Sequence, residues 1–385
     1  MRIVHVITRL IVGGAQENTL LTCEGLAARG HEVILISGPT TGPEGSLVER
    51  ARRGAYRYEE LPDLVRAIRP AQDWRAYRAL RRCLAVLRPD VVHTHSSKAG
   101  ILGRLAAATA GVPRIVHTIH GMSFNRTQPR WVRAAYAAAE RYCARRCHAL
   151  VTVADAMTAQ ALAAGIGRPE QYETIRSGMV VEDFSPTVGE REGPALRRRW
   201  GVPDEAVLVG TVARLFMNKG YEQLIEVMDA AVRLEPSLWF VWIGDGAARA
   251  RYEAELRRRG LRDRVVLTGL QPPAEMPRLL GAVDILAHTS QWEGLPRAVV
   301  QALLMEKPAV SFNIDGAPEV VIPGETGELA ALNDLRGFTA ALVGLARDPA
   351  RRLRYGQAGR RRCLAEFDYR VMVDRLDRLY GRLGR

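Results

Sequence analysis

The sequence predicts an α/β chain of two successive, doubly wound domains. Three observations carry this. Short apolar runs alternate with longer amphipathic segments along nearly the whole chain, as buried parallel strands alternate with crossover helices. The alternation breaks once, around 183–204, and then restarts. At 385 residues the chain can support two domains, each with its own core.

The elements follow in order. Residues 2–8 are apolar and rich in β-branched side chains, with no small-residue cleavage site, so they read as a first strand rather than a secretion signal. A helix at 15–29 ends at Gly30, followed by a strand at 32–37 and a weaker one at 56–61. The helix at 73–87 stops before Arg88-Pro89, because the residue preceding proline is pushed out of helical geometry. Strand 90–94, helix 98–110, strand 114–119, helix 129–147, strand 149–153 and helix 154–164 complete the first run. The polar stretch with Gly189, Gly193, Pro194 and Pro203 reads as a linker. Strands then recur at 206–213, 238–243, 264–268, 283–287 and 308–312. Helices lie between them at 219–234, 247–259, 274–281 and 297–305, and the C-terminus is helical from about 333. The expected division is residues 1–186, 187–365, and a last helix at 366–385 that returns to the first domain. Right-handed crossovers place the loops at the carboxyl ends of the strands, where ligands bind.

Composition excludes several classes. Hydrophobic residues at 47% and charged residues at 25% exclude wholesale disorder. No apolar run approaches the roughly 18 residues that span a bilayer. Five scattered cysteines fit a reducing cytoplasm. Cys143, Cys147 and His148 are too few for a tetrahedral metal site. The net charge is +13, yet only Lys98, Lys219 and Lys307 among the 55 cations are lysines. Arginine abundance reads as a genome preference. A surviving lysine marks places where a compact ammonium is wanted rather than a planar fork.

Four strand-end loops carry the chemistry. Gly13-Gly14 precedes a helix whose free N–H groups can meet an anion, although the pattern is not G-x-G-x-x-G, and this disfavours a nicotinamide enzyme. His120-Gly121 closes strand 114–119, and His93 and His95 sit similarly after strand 90–94. Arg214 and Lys219 bracket a loop at a helix start and suit a diphosphate. Glu293-Gly294-Leu295-Pro296 leads a helix through Gln301, with a carboxylate able to accept hydrogen bonds from sugar hydroxyls. Each loop also has a plain structural reading: a tight turn, a satisfied histidine, a solvated charge, a helix cap. No Asp-x-Asp occurs in the chain, so a divalent-metal diphosphate clamp of that kind is not expected. Arg214 and Lys219 can supply the positive charge for a departing diphosphate instead.

Together, in this order and spacing over nearly the whole chain, the loops resemble the retaining family 4 glycosyltransferases of GT-B fold. The resemblance implies two Rossmann-like domains facing a central cleft and a nucleotide-diphosphate sugar as donor, with no cofactor or metal required. It places the E-x7-E signature on Glu293 and Gln301, and a donor-loop match on Asp315-Gly316-Ala317-Pro318-Glu319. Arg214 and Lys219 would hold the diphosphate, with N–H groups of Gly13 and Gly14. Glu293 and the N–H groups of Gly294 and Leu295 would grip the donor sugar. Gln301 would reach the ribose, Gly269 and Leu270 would flank the base, and His120 would orient the transferring sugar. The departure is Gln301, where the family pattern has a second glutamate. An amide keeps hydrogen-bonding capacity and loses the charge-assisted strength.

The implied function is transfer to a saccharide or lipid-linked acceptor in bacterial envelope or exopolysaccharide synthesis. Two other readings stand beside it: a GT-B sugar-nucleotide epimerase and a non-catalytic sugar-nucleotide-binding protein. Residues 1–186 carry 25 Lys+Arg against 16 Asp+Glu. Arginines surround Trp74 and Tyr77 in segment 73–88, and Trp131 and Tyr136 in segment 126–146, which begins at Arg126. Such helices are either solvated arginine faces or contacts with an anionic membrane surface, which would make a cytoplasmic protein peripheral on the inner leaflet. No nucleic-acid-binding module is present, so no nucleic-acid partner is expected.

Overall fold

In the computed structural model, which describes every residue except Pro43, Glu44, Arg126 and Arg385, the first apolar run is β1 (Arg2–Ile7). It pairs in parallel with β2 (Glu32–Ser37) on one side and β4 (Val91–His95) on the other. Between them lie α1 (Gly14–Ala28), α2 (Val48–Arg53), β3 (Arg57–Glu60) and α3 (Pro70–Leu87). The unit continues through α4 (Ser97–Thr109), β5 (Ile115–Ile119), α5 (Arg130–Ala144), β6 (Ala149–Thr152), α6 (Asp155–Ala163) and β7 (Tyr172–Thr174). Sheet order is β3-β2-β1-β4-β5-β6-β7. The chain builds outward from β1 to β3, then returns to the far side of β1. The β1/β4 boundary is therefore the topological switch point.

Burial explains the strand composition. All five residues of β4 and of β5 are buried, as helices covering both faces of a parallel sheet require. Val4, Val6, Ile34, Ile36, Leu80, Leu84, Val92, Ile115 and Leu150 share one core. Each such side chain contributes roughly 1.5–3 kcal/mol on burial. α3 turns Ala76, Leu80 and Leu84 inward and ends at Arg88 in left-handed geometry (φ 45°), just before Pro89. The Arg88 N–H caps the carbonyl of Leu84 at 2.9 Å.

The second unit opens with α7 (Pro186–Arg199) and continues through β8 (Val207–Val212), α8 (Tyr221–Leu234), β9 (Leu238–Ile243), α9 (Arg249–Arg258), β10 (Val265–Gly269) and α10 (Met276–Gly281). It then runs through β11 (Ile285–His288), α11 (Arg297–Leu304), β12 (Ala309–Phe312), β13 (Gly327–Ala330), α12 (Leu335–Arg347) and α13 (Pro349–Glu366). Its sheet order is β10-β9-β8-β11-β12-β13. That repeats the first six strands of the other unit, with β8 and β11 now at the switch point. Tyr221 and Trp242 meet edge to face at 4.7 Å inside a core that also holds Leu224, Met228, Phe240, Phe312 and Phe338.

The last helix, α14 (Tyr369–Arg382), belongs to the first unit, which comprises Met1–Met179 and Tyr369–Arg385; the second is Val180–Asp368. The Tyr369 N–H donates to the Met179 carbonyl at 2.9 Å, and Arg29 pairs with Asp374 and Asp377. A Cβ on Gly25 of α1 would sit 2.6 Å from Val373, so glycine there allows α14 to lie close.

Several expectations are corrected. The supposed linker is mostly α7. Its glycines permit close helix packing rather than flexibility, since a Cβ on Gly189 would lie 2.7 Å from the Cα of Gly281 on α10. The expected boundaries at 186/187 and 365/366 move to 179/180 and 368/369. Phe184 is buried and its carbonyl accepts from Arg360 of α13, which ties residues 180–186 to the second unit. Strands β7 and β13 were not anticipated, being only three and four residues long.

Candidate active site

The loops following β8 and β11, the switch-point strands, are fastened together in the second unit. Gly220 has φ 71°, and a Cβ there would lie 1.8 Å from the Thr289 carbonyl, so only glycine fits. The Thr289 hydroxyl donates to the Lys219 carbonyl at 3.1 Å, and the Gln291 N–H to the Asn218 carbonyl at 3.0 Å. This stitching brings Lys219 and Glu293 together across 74 residues of sequence, with Nζ 2.5 Å from Oε1.

Glu293 is held from several sides. The Ser290 hydroxyl donates to its Oε1 at 2.9 Å, and Nε2 of His288 lies 3.6 Å from the same oxygen. The Ser311 hydroxyl is given to the Phe312 carbonyl, so Ser311 receives the Nδ1–H of His288 at 2.8 Å and turns Nε2 toward the carboxylate. The Glu293 N–H donates to Asp315 Oδ2 at 2.6 Å, and Asp315 itself takes left-handed geometry, φ 42°. Burial pushes the Glu293 carboxyl up. The Lys219 ammonium and the neighbouring His288 more than offset this and hold it well below the usual carboxylate range. Glu293 is therefore a charged acceptor at neutral pH.

The other residues expected on the donor side are placed less tightly. Arg214 is exposed, its guanidinium 4.8 Å over the Phe216 ring. Gly294 and Leu295 are buried beneath the Glu293 turn, and Gln301 is half-buried on α11. Gly269 ends β10 with φ 72°, and Leu270 beyond it is 54% exposed. β10 lies two strands away from β8. The structure thus joins Lys219 to Glu293 directly and leaves Gly269 and Leu270 at the edge of the sheet.

In the first unit, Gly13 has extended backbone (φ 178°) and a Cβ there would meet only the Gln16 side chain, so Gly13 leaves the start of α1 open rather than relieving strain. His120 follows β5 and lines a cavity of about 240 Å³ with Ala15, Ser96, Ser97, Met122 and Ser123. His93 and His95 are not loop residues, as expected from sequence, but fully buried members of β4. Lys98 is in the first turn of α4 and pairs with Asp73, so it is already engaged. Sequence reasoning missed His288, the hydrogen bond from Ser290 to Glu293 and the hold of Asp315 on the Glu293 backbone. The available signal was a histidine at the carboxyl end of a strand, directly before Thr289-Ser290.

Two family models match the chain: "Glycosyl transferase 4-like domain" over residues 13–178 and "Glycosyl transferases group 1" over residues 193–362. Among curated proteins, the chain is 28% identical over 386 aligned positions to the UDP-Gal:alpha-D-GlcNAc-diphosphoundecaprenol alpha-1,3-galactosyltransferase of Escherichia coli, covering 99% of this chain and 96% of that one. It is also 28% identical to a GDP-mannose-dependent alpha-mannosyltransferase of Mycobacterium tuberculosis, covering 95% and 92%. Among solved structures it is similar to HepE of Anabaena in complex with UDP and glucose, with a TM-score of 0.84, 20% identity and 99% of each chain covered. With both units matched by their respective models and both sheets wound in the same order, this chain belongs to the family 4 glycosyltransferases, with the GT-B fold.

Proposed function

We propose that the chain transfers a sugar, with retention and without a metal, from a nucleotide-diphosphate donor to a saccharide or lipid-linked acceptor in envelope or exopolysaccharide synthesis. The Lys219–Glu293 pair at the switch point of the second unit carries this reading. It presents an ammonium for a diphosphate and a charged carboxylate for sugar hydroxyls on loops that Gly220 and Thr289 hold in fixed register. The Escherichia coli and Mycobacterium relatives, whose names state a nucleotide-sugar donor and an α-linked product, support it.

In the proposed reaction the acceptor oxygen bonds to the anomeric carbon on the face from which the diphosphate leaves. The carbon–oxygen bond to diphosphate breaks, and the departing diphosphate oxygen takes the acceptor proton. Lys219 turns from Glu293 to the diphosphate and, with Arg214, stabilises its growing charge. Glu293, released, accepts from the donor sugar, and His120 orients that sugar. Glu293 is a positioner here and no enzyme nucleophile is needed.

A contact with anionic lipid is part of the proposal. α5 exposes Arg130, Arg133, Arg141 and Trp131, the last 75% exposed, and α3 exposes Trp74 (59%) among Arg75, Arg81 and Arg82. Arg126 lies outside the described residues. Among the described residues no helix is long and apolar enough to cross a membrane. The test is a thermal-shift panel of nucleotide diphosphates and sugar nucleotides, with and without EDTA, followed by transfer to membrane extracts. A nucleotide-diphosphate response that survives EDTA is expected. No response to any nucleotide would overturn the donor site.

A further inference from the structure

Three histidines stand on one face of the first sheet at its switch point. His5 on β1 is the register partner of His93 on β4, and His95 follows two residues on, in register with Thr118 of β5. Side chains repeat every second residue along a strand, so His120, two beyond Thr118, continues the same row past the strand end. The rings form a connected line. His5 Nδ1 lies 3.0 Å from His95 Nε2, and His95 Nδ1 lies 3.1 Å from His120 Nε2. His93 stands beside the line with both nitrogens engaged, one by the Tyr380 hydroxyl at 2.5 Å and one by the Thr118 hydroxyl at 2.6 Å.

The inner rings are neutral. Burial pushes His5 down to about 3 and holds His93 and His95 well below the usual histidine range. A neutral imidazole has one N–H and one lone pair, so the N–H groups along the line must all point the same way. The far end decides which way. His5 Nε2 is buried and has no partner among the described residues. A buried N–H without an acceptor is the costlier orphan, so the bare lone pair belongs there. Then His5 Nδ1–H donates to His95 Nε2, and His95 Nδ1–H donates to His120 Nε2.

We infer that His5 and His95 are positioning residues that fix His120 as its Nδ1–H tautomer, making it a hydrogen-bond donor to the sugar rather than a general base. The sugar-facing role rests on the function proposed above; the tautomer itself does not. A metal is the competing use of His5, His93 and His95, whose ligand atoms lie within 4.8 Å of one another. Against it, His5 Nε2 is the one ring nitrogen of the three without a described hydrogen-bond partner, and among the described residues no carboxylate joins the group.

The test is nitrogen-15 NMR of the histidine rings in the full-length protein, with His120 assigned from the His120→Ala spectrum. The expected wild-type result is a protonated Nδ1 and a bare, hydrogen-bonded Nε2 on His120, with the same tautomer on His5 and His95. His95→Gln, whose amide accepts from His5 and donates to His120, should keep that tautomer and most of kcat. His95→Phe should lose the single tautomer and about tenfold in kcat, with KM for donor little changed, the size of one hydrogen bond. A His120 protonated at Nε2, His95→Gln behaving like His95→Phe, or stoichiometric metal in the purified protein would each overturn the proposal. If His95→Phe does not fold, the wild-type and His95→Gln spectra still decide. The spectra need no substrate, so an absence of transferase activity would count against the function while leaving the tautomer tested.

Discussion

At the scale of single residues the proposed donor site is two charges, Lys219 and Glu293, that satisfy each other in the absence of ligand. Glu293→Ala removes the proposed acceptor for the sugar hydroxyls and the ion-pair partner of Lys219. Transfer should fall by more than about 10²-fold in kcat, measured with saturating donor, because a charged hydrogen-bond partner is lost. Gln301→Glu should retain transfer and lower KM for the donor by about three- to tenfold, since a carboxylate binds a ribose hydroxyl more strongly than an amide does. The buried histidines give a pH signature. In the folded protein His5, His93, His95 and His117 all resist protonation because burial disfavours the cation. Below about pH 6.5 the unfolded chain takes up protons that the folded chain refuses. Stability is therefore complete above that pH and declines as pH falls toward the folded values, by roughly 1 kcal/mol per pH unit for each histidine. Urea midpoints measured from pH 7.5 to 5 should show this slope, and His5→Phe should reduce it. The sequence singles out Lys219 and Glu293 as candidates because a rare lysine and loop motifs are local signals. His288 and the His5–His95 contact were not legible, since their meaning depends on strand register, which brings together residues 90 apart.

At the scale of elements, glycine decides how closely pieces approach. The alternation of apolar runs and amphipathic segments made nearly every strand and crossover helix readable, because period and length are properties of the local chain. α7 reads as a linker in the sequence for an equally local reason: Gly189, Gly193 and Pro194 look like breakers until α10 is in place. Against Gly281 those glycines become a packing surface. Gly189→Val should destabilise the second unit by about 1–3 kcal/mol through overpacking, read from its denaturant midpoint. Gly220→Ala belongs to the same class with a functional consequence. Its left-handed φ and the Thr289 carbonyl forbid a side chain, so the Lys219 and Glu293 loops must part. Nucleotide affinity should weaken along with stability, and a substitution that left both unchanged would contradict the proposed stitching.

At the scale of the whole molecule, the chain leaves its first unit at Met179 and re-enters it at Tyr369. α14 contributes Met372, Val373, Leu376, Leu379 and Tyr380 to that unit's interior, and Tyr380 holds His93. The basic N-terminal charge also finds a physical location here, on the exposed faces of α3 and α5. Vesicles containing anionic lipid should bind the protein in a salt-dependent way, while neutral vesicles should not. Trp131→Ala with Arg133→Glu should weaken that binding and leave the thermal response to nucleotide intact.

Retention, and its proposed dependence on the Lys219–Glu293 pair, is read from the stereochemistry of the product. The protein should be incubated with an α-linked nucleotide-diphosphate sugar and its acceptor, and the anomeric proton of the new bond read by NMR. An α bond, one nucleoside diphosphate released per bond formed, and no product from Glu293→Ala are the expected results. A β bond, or an undiminished rate in Glu293→Ala, would contradict this reading.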